Sequence, residues 1–94
     1  MEKIVSSAIK FKPINSDYFQ IMCGKRHCNI FEMMYNLGIE YDKNSHIQGF
    51  WTDSSRFLDR QEAYELAVKN GIISDKNPFS RILYSEDLWP PETN

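Results

Sequence analysis

Ninety-four residues with a net charge of −2, 41% hydrophobic and 14% aromatic, predict one small domain with a modest core rather than two. A charge so near neutrality excludes bulk electrostatic binding to DNA or RNA, but it leaves room for a compact anion held by two or three local cations. The aromatic share is high for this length and fits a core, an interface or a nucleotide pocket.

Residues 3–11, KIVSSAIKF, mix β-branched and apolar residues in partial alternation and predict a first strand. Pro13 and Asn15-Ser16-Asp17 supply turn chemistry, and residues 18–23, YFQIMC, predict a second strand, so the chain should open with an antiparallel hairpin. Cys23 and Cys28 are spaced C-x-x-x-x-C, which is neither a zinc-ribbon nor a thioredoxin spacing. They read as unbridged, partly buried thiols. Past Gly24, the residues Ile30, Phe31, Met34 and Leu37 fall at helical spacing and Gly38 is a natural stop, so a helix is expected over about 27–37. Its first turn carries Arg26 and His27, at the end of the helix dipole where acids are preferred. That placement suggests a bound anion or a structural partner.

Residues 39–45 are polar and turn-like, and 46–52, HIQGFWT, predict a third strand. Thr52-Asp53-Ser54-Ser55 then breaks the pattern. Asp59 followed three residues later by Glu62 has capping-box spacing, which starts a second helix over about 60–70, with Ala63, Leu66 and Ala67 as its apolar face and Gly71 as its stop. Residues 74–80 read as a loop, 81–85 (RILYS) as a last strand, and Ser85 as the cap of a single turn that Pro90-Pro91 ends; residues 90–94 would be a mobile tail. These elements predict an α+β fold: a small, mainly antiparallel sheet with a leading hairpin and two helices packed on one face. The N-terminal MEKIVSSAIKF lacks the apolar core of a secretory signal and no run is long enough to span a membrane, so a cytoplasmic location is expected.

Polar density concentrates at Lys25-Arg26-His27, at Gln48 to Glu62 and at Ser85-Glu86-Asp87. His27, disfavoured as a cation at a helix start, can stay neutral and accept a proton; the plainer alternative is a half-buried histidine bonded to a backbone carbonyl. Arg56 and Arg60, if the residues between them are turn-like, can clamp a phosphate beside the second helix's N-terminus; the plainer alternative is an ion-pair network with Asp59, Glu62 or Glu65. Phe50, Trp51, Phe57, Tyr84 and Trp89 are more often core than stacking platform. No P-loop, G-x-G-x-x-G, G-x-S-x-G or H-E-x-x-H is present, and no metal or cofactor is expected.

Three pieces, CGKRHCNIF, QGFWTDSSRFLDRQEA and LYSEDLW, in this order and spacing resemble a group of short phage and prophage proteins marked by Gly-x-Arg-His, Gln-Gly-Phe, Arg-Phe-x-x-Arg-x-Glu-Ala and Ser-Glu-Asp-Leu-aromatic. The likeness runs from Cys23 to Trp89 and falls on Arg26, His27, Gln48, Gly49, Phe50, Arg56, Phe57, Arg60, Glu62, Ala63, Ser85, Glu86, Asp87 and Leu88. Asn70-Gly71-Ile72 departs from the pattern, where Gly-Gln would be expected. The group resembles phage proteins that disarm the CBASS and Thoeris immune pathways by cleaving or sequestering a nucleotide signal.

The resemblance implies two functions. In one, a metal-independent phosphodiesterase uses the 2′-hydroxyl of a cyclic ribonucleotide as nucleophile, with His27 as acid–base, Glu62 or Glu86 as orienting carboxylates, and Arg26, Arg56 and Arg60 on the phosphates. In the other, a homo-oligomeric sponge binds a cyclic dinucleotide or cyclic ADP-ribose-type ligand through the same cations, with Gln48 and Ser85 as polar contacts and Phe50 and Trp51 as base-stacking surfaces. A third function, needing no ligand, is inhibition of a host factor through the patch Leu88-Trp89-Pro90-Pro91.

Overall fold

The computed structural model describes residues 1–75 and 81–89. Strands β1 (Ile4–Phe11), β2 (Gln20–Gly24), β3 (Ile47–Thr52) and β4 (Phe57–Asp59) form one sheet in the order β2-β1-β3-β4. All three pairings are antiparallel. Helices α1 (His27–Asn36) and α2 (Arg60–Lys69) and a single turn, α3 (Ser85–Leu88), complete the α+β fold. Among the described residues no helix is long and apolar enough to cross a membrane.

The register explains why both helices lie on one face. Ser7 pairs with Gly24 and Phe50, Ile9 with Met22 and Gln48, and Phe50 with Leu58, so these side chains share a face. α1 covers its β1–β2 half, where Ile9 and Phe11 pack with Ile30 and Met34. α2 covers the β3–β4 half, where Phe50 and Leu58 pack with Ala63, Tyr64, Ala67 and Leu83. The opposite face carries Ser6, Ala8, Lys10, Ile21, Cys23, Ile47, Gly49, Trp51, Phe57 and Asp59.

Both helices end in the same way. Gly38 (φ 66°) and Gly71 (φ 73°) take the left-handed conformation. The next residues, Ile39 and Ile72, donate back to the carbonyls of Met34 and Ala67, closing Schellman motifs. The start of α2 is the predicted capping box: Asp59 Oδ1 accepts from the Glu62 N–H at 2.8 Å and Glu62 Oε1 from the Asp59 N–H at 3.1 Å.

Three expectations need correction. Residues 57–59, expected as a turn running into the helix, are strand β4, because Leu58 fills the core beside Phe50 and the Thr52–Arg56 turn brings the chain back antiparallel. Residues 81–84, expected as a strand, join no ladder. β4 occupies that end of the sheet, and the segment is pinned instead by the Leu83 N–H on the Arg60 carbonyl, 3.0 Å, and by the buried Leu83 side chain. Tyr84, not Ser85, occupies the cap position of α3, and Ser85 is its first residue. Both cysteines are unbridged, as expected, but exposed. The Pro90-Pro91 stop, the 90–94 tail and the end of the 74–80 loop lie outside the described residues.

Asp59→Ala removes one half of the capping box and is expected to cost about 1 kcal/mol. A urea unfolding midpoint unchanged from wild type would show that the cap does not hold α2.

Candidate functional site

The polar cluster forms where the starts of both helices and the α3 turn meet over β3. Arg60, the first residue of α2, donates from Nη2 to Gln48 Oε1. Gln48 points toward the helices because it shares the face of Ile9. The Arg60 guanidinium lies over the Tyr84 ring, 4.8 Å from its centroid, a cation–π geometry. Its Nε is buried and has no hydrogen-bond partner among the described residues. Tyr84 itself is 44% exposed, so its ring combines contact with the arginine and access from solvent.

His27 is 6% exposed, and its Nε2 lies 2.8 Å from the Gly49 carbonyl oxygen. A carbonyl only accepts, so Nε2 carries the proton and Nδ1 is the basic nitrogen of the neutral ring. The ring edge meets Phe50 at 5.3 Å between centroids. Burial lowers the His27 pKa below 6.5, and the nearby Arg60 charge adds to this, while the Gly49 hydrogen bond and the Glu86 carboxylate oppose it. Arg26, just before α1, is half-buried and sits at the N-cap position without capping the helix through its side chain, and the first turn holds no acid. Ser85 is buried beside Tyr84, and Glu86 is exposed on the α3 turn.

The structure therefore gathers His27, Gln48, Arg60, Ser85 and Glu86, with Arg26 adjoining. Arg56 and Glu62 have other partners. Arg56 grips Glu2, with Nη2–Oε1 at 2.6 Å and Nε–Oε2 at 2.9 Å, while Thr52 Oγ1 donates to the same carboxylate at 2.7 Å. The Glu2 pKa falls to about 2, chiefly through the Arg56 hydrogen bond. Glu62 is committed to the helix cap. The expected Arg56–Arg60 clamp fails geometrically, because an extended strand separates the two by roughly 13 Å at about 3.3 Å per residue.

Phe50 and Trp51 cannot form one stacking surface, since adjacent strand residues face opposite ways. Phe50 is fully buried under the helices, and Trp51 is on the far face of the sheet. The aromatic that does serve the cluster is Tyr84, which sequence reasoning assigned to the core. Its signal was its place immediately before Ser-Glu-Asp-Leu. Leu88 and Trp89 pack against the Phe50 core, so half of the patch suggested for host-factor binding is structural. Among the described residues no group of three His, Cys, Asp or Glu side chains could hold a metal ion.

The depressed pKa fixes the sign of a pH effect. Between the folded pKa and 6.5 the unfolded chain binds a proton at His27 that the folded chain does not, so stability falls as pH drops below 6.5 and is unaffected by this group above it. His27→Gln keeps an N–H for the Gly49 carbonyl but does not titrate. Urea midpoints at about pH 7.5 and 5.5 should therefore drop further for wild type than for this variant, and equal drops would show that His27 takes up no extra proton on unfolding.

The profile of the family described as phage T4 y16D protein matches residues 3–89, nearly the whole chain, and the chain belongs to that phage protein family. Neither a curated protein nor a solved structure matches it.

Proposed function

We propose that this phage T4 y16D family member binds a small anionic nucleotide at the Arg60–Tyr84–Gln48 cluster and holds it without cleavage. One observation carries the reading: a half-buried arginine is oriented by Gln48 and stacked on a half-exposed tyrosine, and no carboxylate among the described residues pairs with its guanidinium. A guanidinium fixed at one edge is preorganised for a phosphate, which accepts from it in charge-assisted bonds. The adjoining start of α1 offers backbone N–H groups with no competing acid in its first turn. Tyr84 presents a ring at the same place, and a base stacks on such a ring for about 1–3 kcal/mol. The ligand class follows the motif resemblance: a cyclic dinucleotide or a cyclic ADP-ribose-type signal, whose capture would serve a phage against host immunity.

Binding is favoured over hydrolysis because the proposed catalytic groups are otherwise engaged. The Nε2–H of His27 is spent on Gly49, Glu62 caps α2 and Arg56 neutralises Glu2. General acid–base catalysis needs a group within reach of the proton it moves. What remains is Nδ1 of a buried histidine and the exposed carboxylate of Glu86, neither of them bonded to the other among the described residues.

The test is calorimetric titration of the protein with a panel of cyclic dinucleotides and cyclic ADP-ribose isomers, followed by heat release and chromatography of the ligand. The expected result is intact ligand, with Arg60→Ala weakening binding by roughly 1.5–3 kcal/mol and leaving the fold intact. Tyr84→Ala should weaken it by about 1–3 kcal/mol. Linear product would establish the phosphodiesterase instead, and absence of binding across the panel would remove nucleotides as the ligand class.

A further inference from the structure

Both helices begin over neighbouring residues of β3. α1 starts at His27, whose Nε2–H is held by the Gly49 carbonyl at 2.8 Å, and α2 starts at Arg60, whose guanidinium is held by the Gln48 side chain. A helix N-terminus carries partial positive charge, and the guanidinium adds a full one. Around the buried His27 ring, β3 presents the uncharged Gln48, Gly49 and Phe50, and β1 presents the Ser7 hydroxyl, which donates to the Lys25 carbonyl. The first turn of α1 holds no acid, and Lys25 and Arg26, which lead into it, bring no negative charge. Among the described residues the charges that act on the ring are Arg60 from α2 and the exposed Glu86 from α3.

We infer that anion capture at Arg60 is coupled to uptake of a proton by Nδ1 of His27, so that affinity for the anion rises as the pH falls. This coupling rests on the anion site proposed above. Nε2 already carries the proton it donates to Gly49, so Nδ1 is the nitrogen that takes a second one, and the Gly49 hydrogen bond survives the change. In the free protein burial and the Arg60 charge both oppose an imidazolium here. A bound anion offsets the field of Arg60 at the ring and leaves the Glu86 carboxylate to favour the cation. His27 therefore takes a proton more readily in the complex than in the free protein. Linkage makes the effect reciprocal: the anion binds the protonated form more tightly by the same factor. Between the free and the bound midpoints of His27 the complex holds a proton that the free protein lacks, and affinity climbs as the pH drops through that window. Above the bound midpoint neither form holds it, and this group leaves affinity flat.

Sulfate is the probe, because it is a tetrahedral anion that does not titrate in this pH range. The imidazole titrations of the full chain are followed by NMR in sulfate and in chloride at equal ionic strength. His46, the other of the two histidines, is bonded to the Lys43 carbonyl and edge-on to Phe31 and Tyr41, and it serves as the internal reference. Sulfate should raise the His27 midpoint and leave that of His46 in place. Sulfate affinity, read from the Arg60 signals, should be roughly fivefold tighter at about pH 5.5 than at about pH 7.5. His27→Gln keeps a donor for Gly49 but does not titrate, and should bind sulfate with a flat pH profile. Arg60→Gln should raise the His27 midpoint without sulfate and abolish the response to it. If either variant does not fold, the wild-type titrations decide alone. Sulfate that perturbs Arg60 while the His27 midpoint stays fixed and affinity stays flat overturns the coupling and leaves the anion site standing. No perturbation of Arg60 at any pH removes the anion site, and the coupling with it.

Discussion

The carbonyl of Gly49 accepts the Nε2–H of His27 at 2.8 Å, and at that same residue no side chain fits. A Cβ there would stand 2.1 Å from the Leu58 carbonyl oxygen and 2.6 Å from the Phe57 ring. The backbone of β3 is thus closed in by β4 and by Phe57 on the far face, and its polar group is satisfied by the first residue of α1. Phe50, next in the strand, supplies the ring against which His27 packs edge-on. A buried carbonyl without a partner costs of the order of 1–3 kcal/mol, so the histidine earns its place by stability even before any ligand is considered. The start of α1 is held a second time where Ser7 Oγ, buried on β1, donates to the Lys25 carbonyl at 3.0 Å.

Fixing α1 in this way determines where the cations can go. His27 is held neutral by its burial, and Arg60 reinforces this because two positive charges in so small a space would repel. Arg60 then carries the positive charge, oriented by Gln48 below and by the Tyr84 ring beside it. Its backbone takes part too, since its carbonyl anchors Leu83 and so brings the Tyr84–Glu86 segment over the start of α2. In the proposed function the histidine is a positioning group and the arginine the one that meets the anion. That division of roles is what the binding proposal rests on, since an acid–base site built of the same residue types would need the histidine's proton free to move.

Much of the fold was legible because its punctuation is local. Gly38 and Gly71 mark left-handed positions, Asp59 and Glu62 are the two halves of one cap, and the first hairpin follows from alternation around Pro13. β4 was not legible, because three residues are too few to show a period and the cap that follows them reads equally well after a turn. Residues 81–84 carry the composition of a strand, yet whether a strand forms depends on a free sheet edge, which composition does not record. The candidate site was legible as a set of motif residues, five of which the fold gathers, but not as a set of contacts. Arg56 and Arg60 look alike in sequence, and only the fold reveals that Glu2, fifty-four positions from Arg56, claims one of them. Tyr84 was hidden for the opposite reason: a tyrosine in an apolar stretch reads as core, and its 44% exposure follows from the segment standing outside the sheet.

The departure at Asn70-Gly71-Ile72 can be placed in the same terms. Asn70 Nδ2 donates to the Glu2 carbonyl at 2.9 Å, and Glu2 in turn holds Arg56 and Thr52. Asn70 therefore fastens the N-terminal residues to the C-terminal end of α2, while Arg60 stands at the other end of that helix, roughly 15 Å away at about 1.5 Å per residue. A glutamine missing from this stretch removes nothing directly from the cluster around Arg60. Gly71 still provides the positive φ of 73° that ends α2, so the helix stop survives the change. Substitution here bears on how the chain's first residues are tied down, and through Glu2 on the hairpin between β3 and β4, rather than on the contacts Arg60 makes with Gln48 and Tyr84.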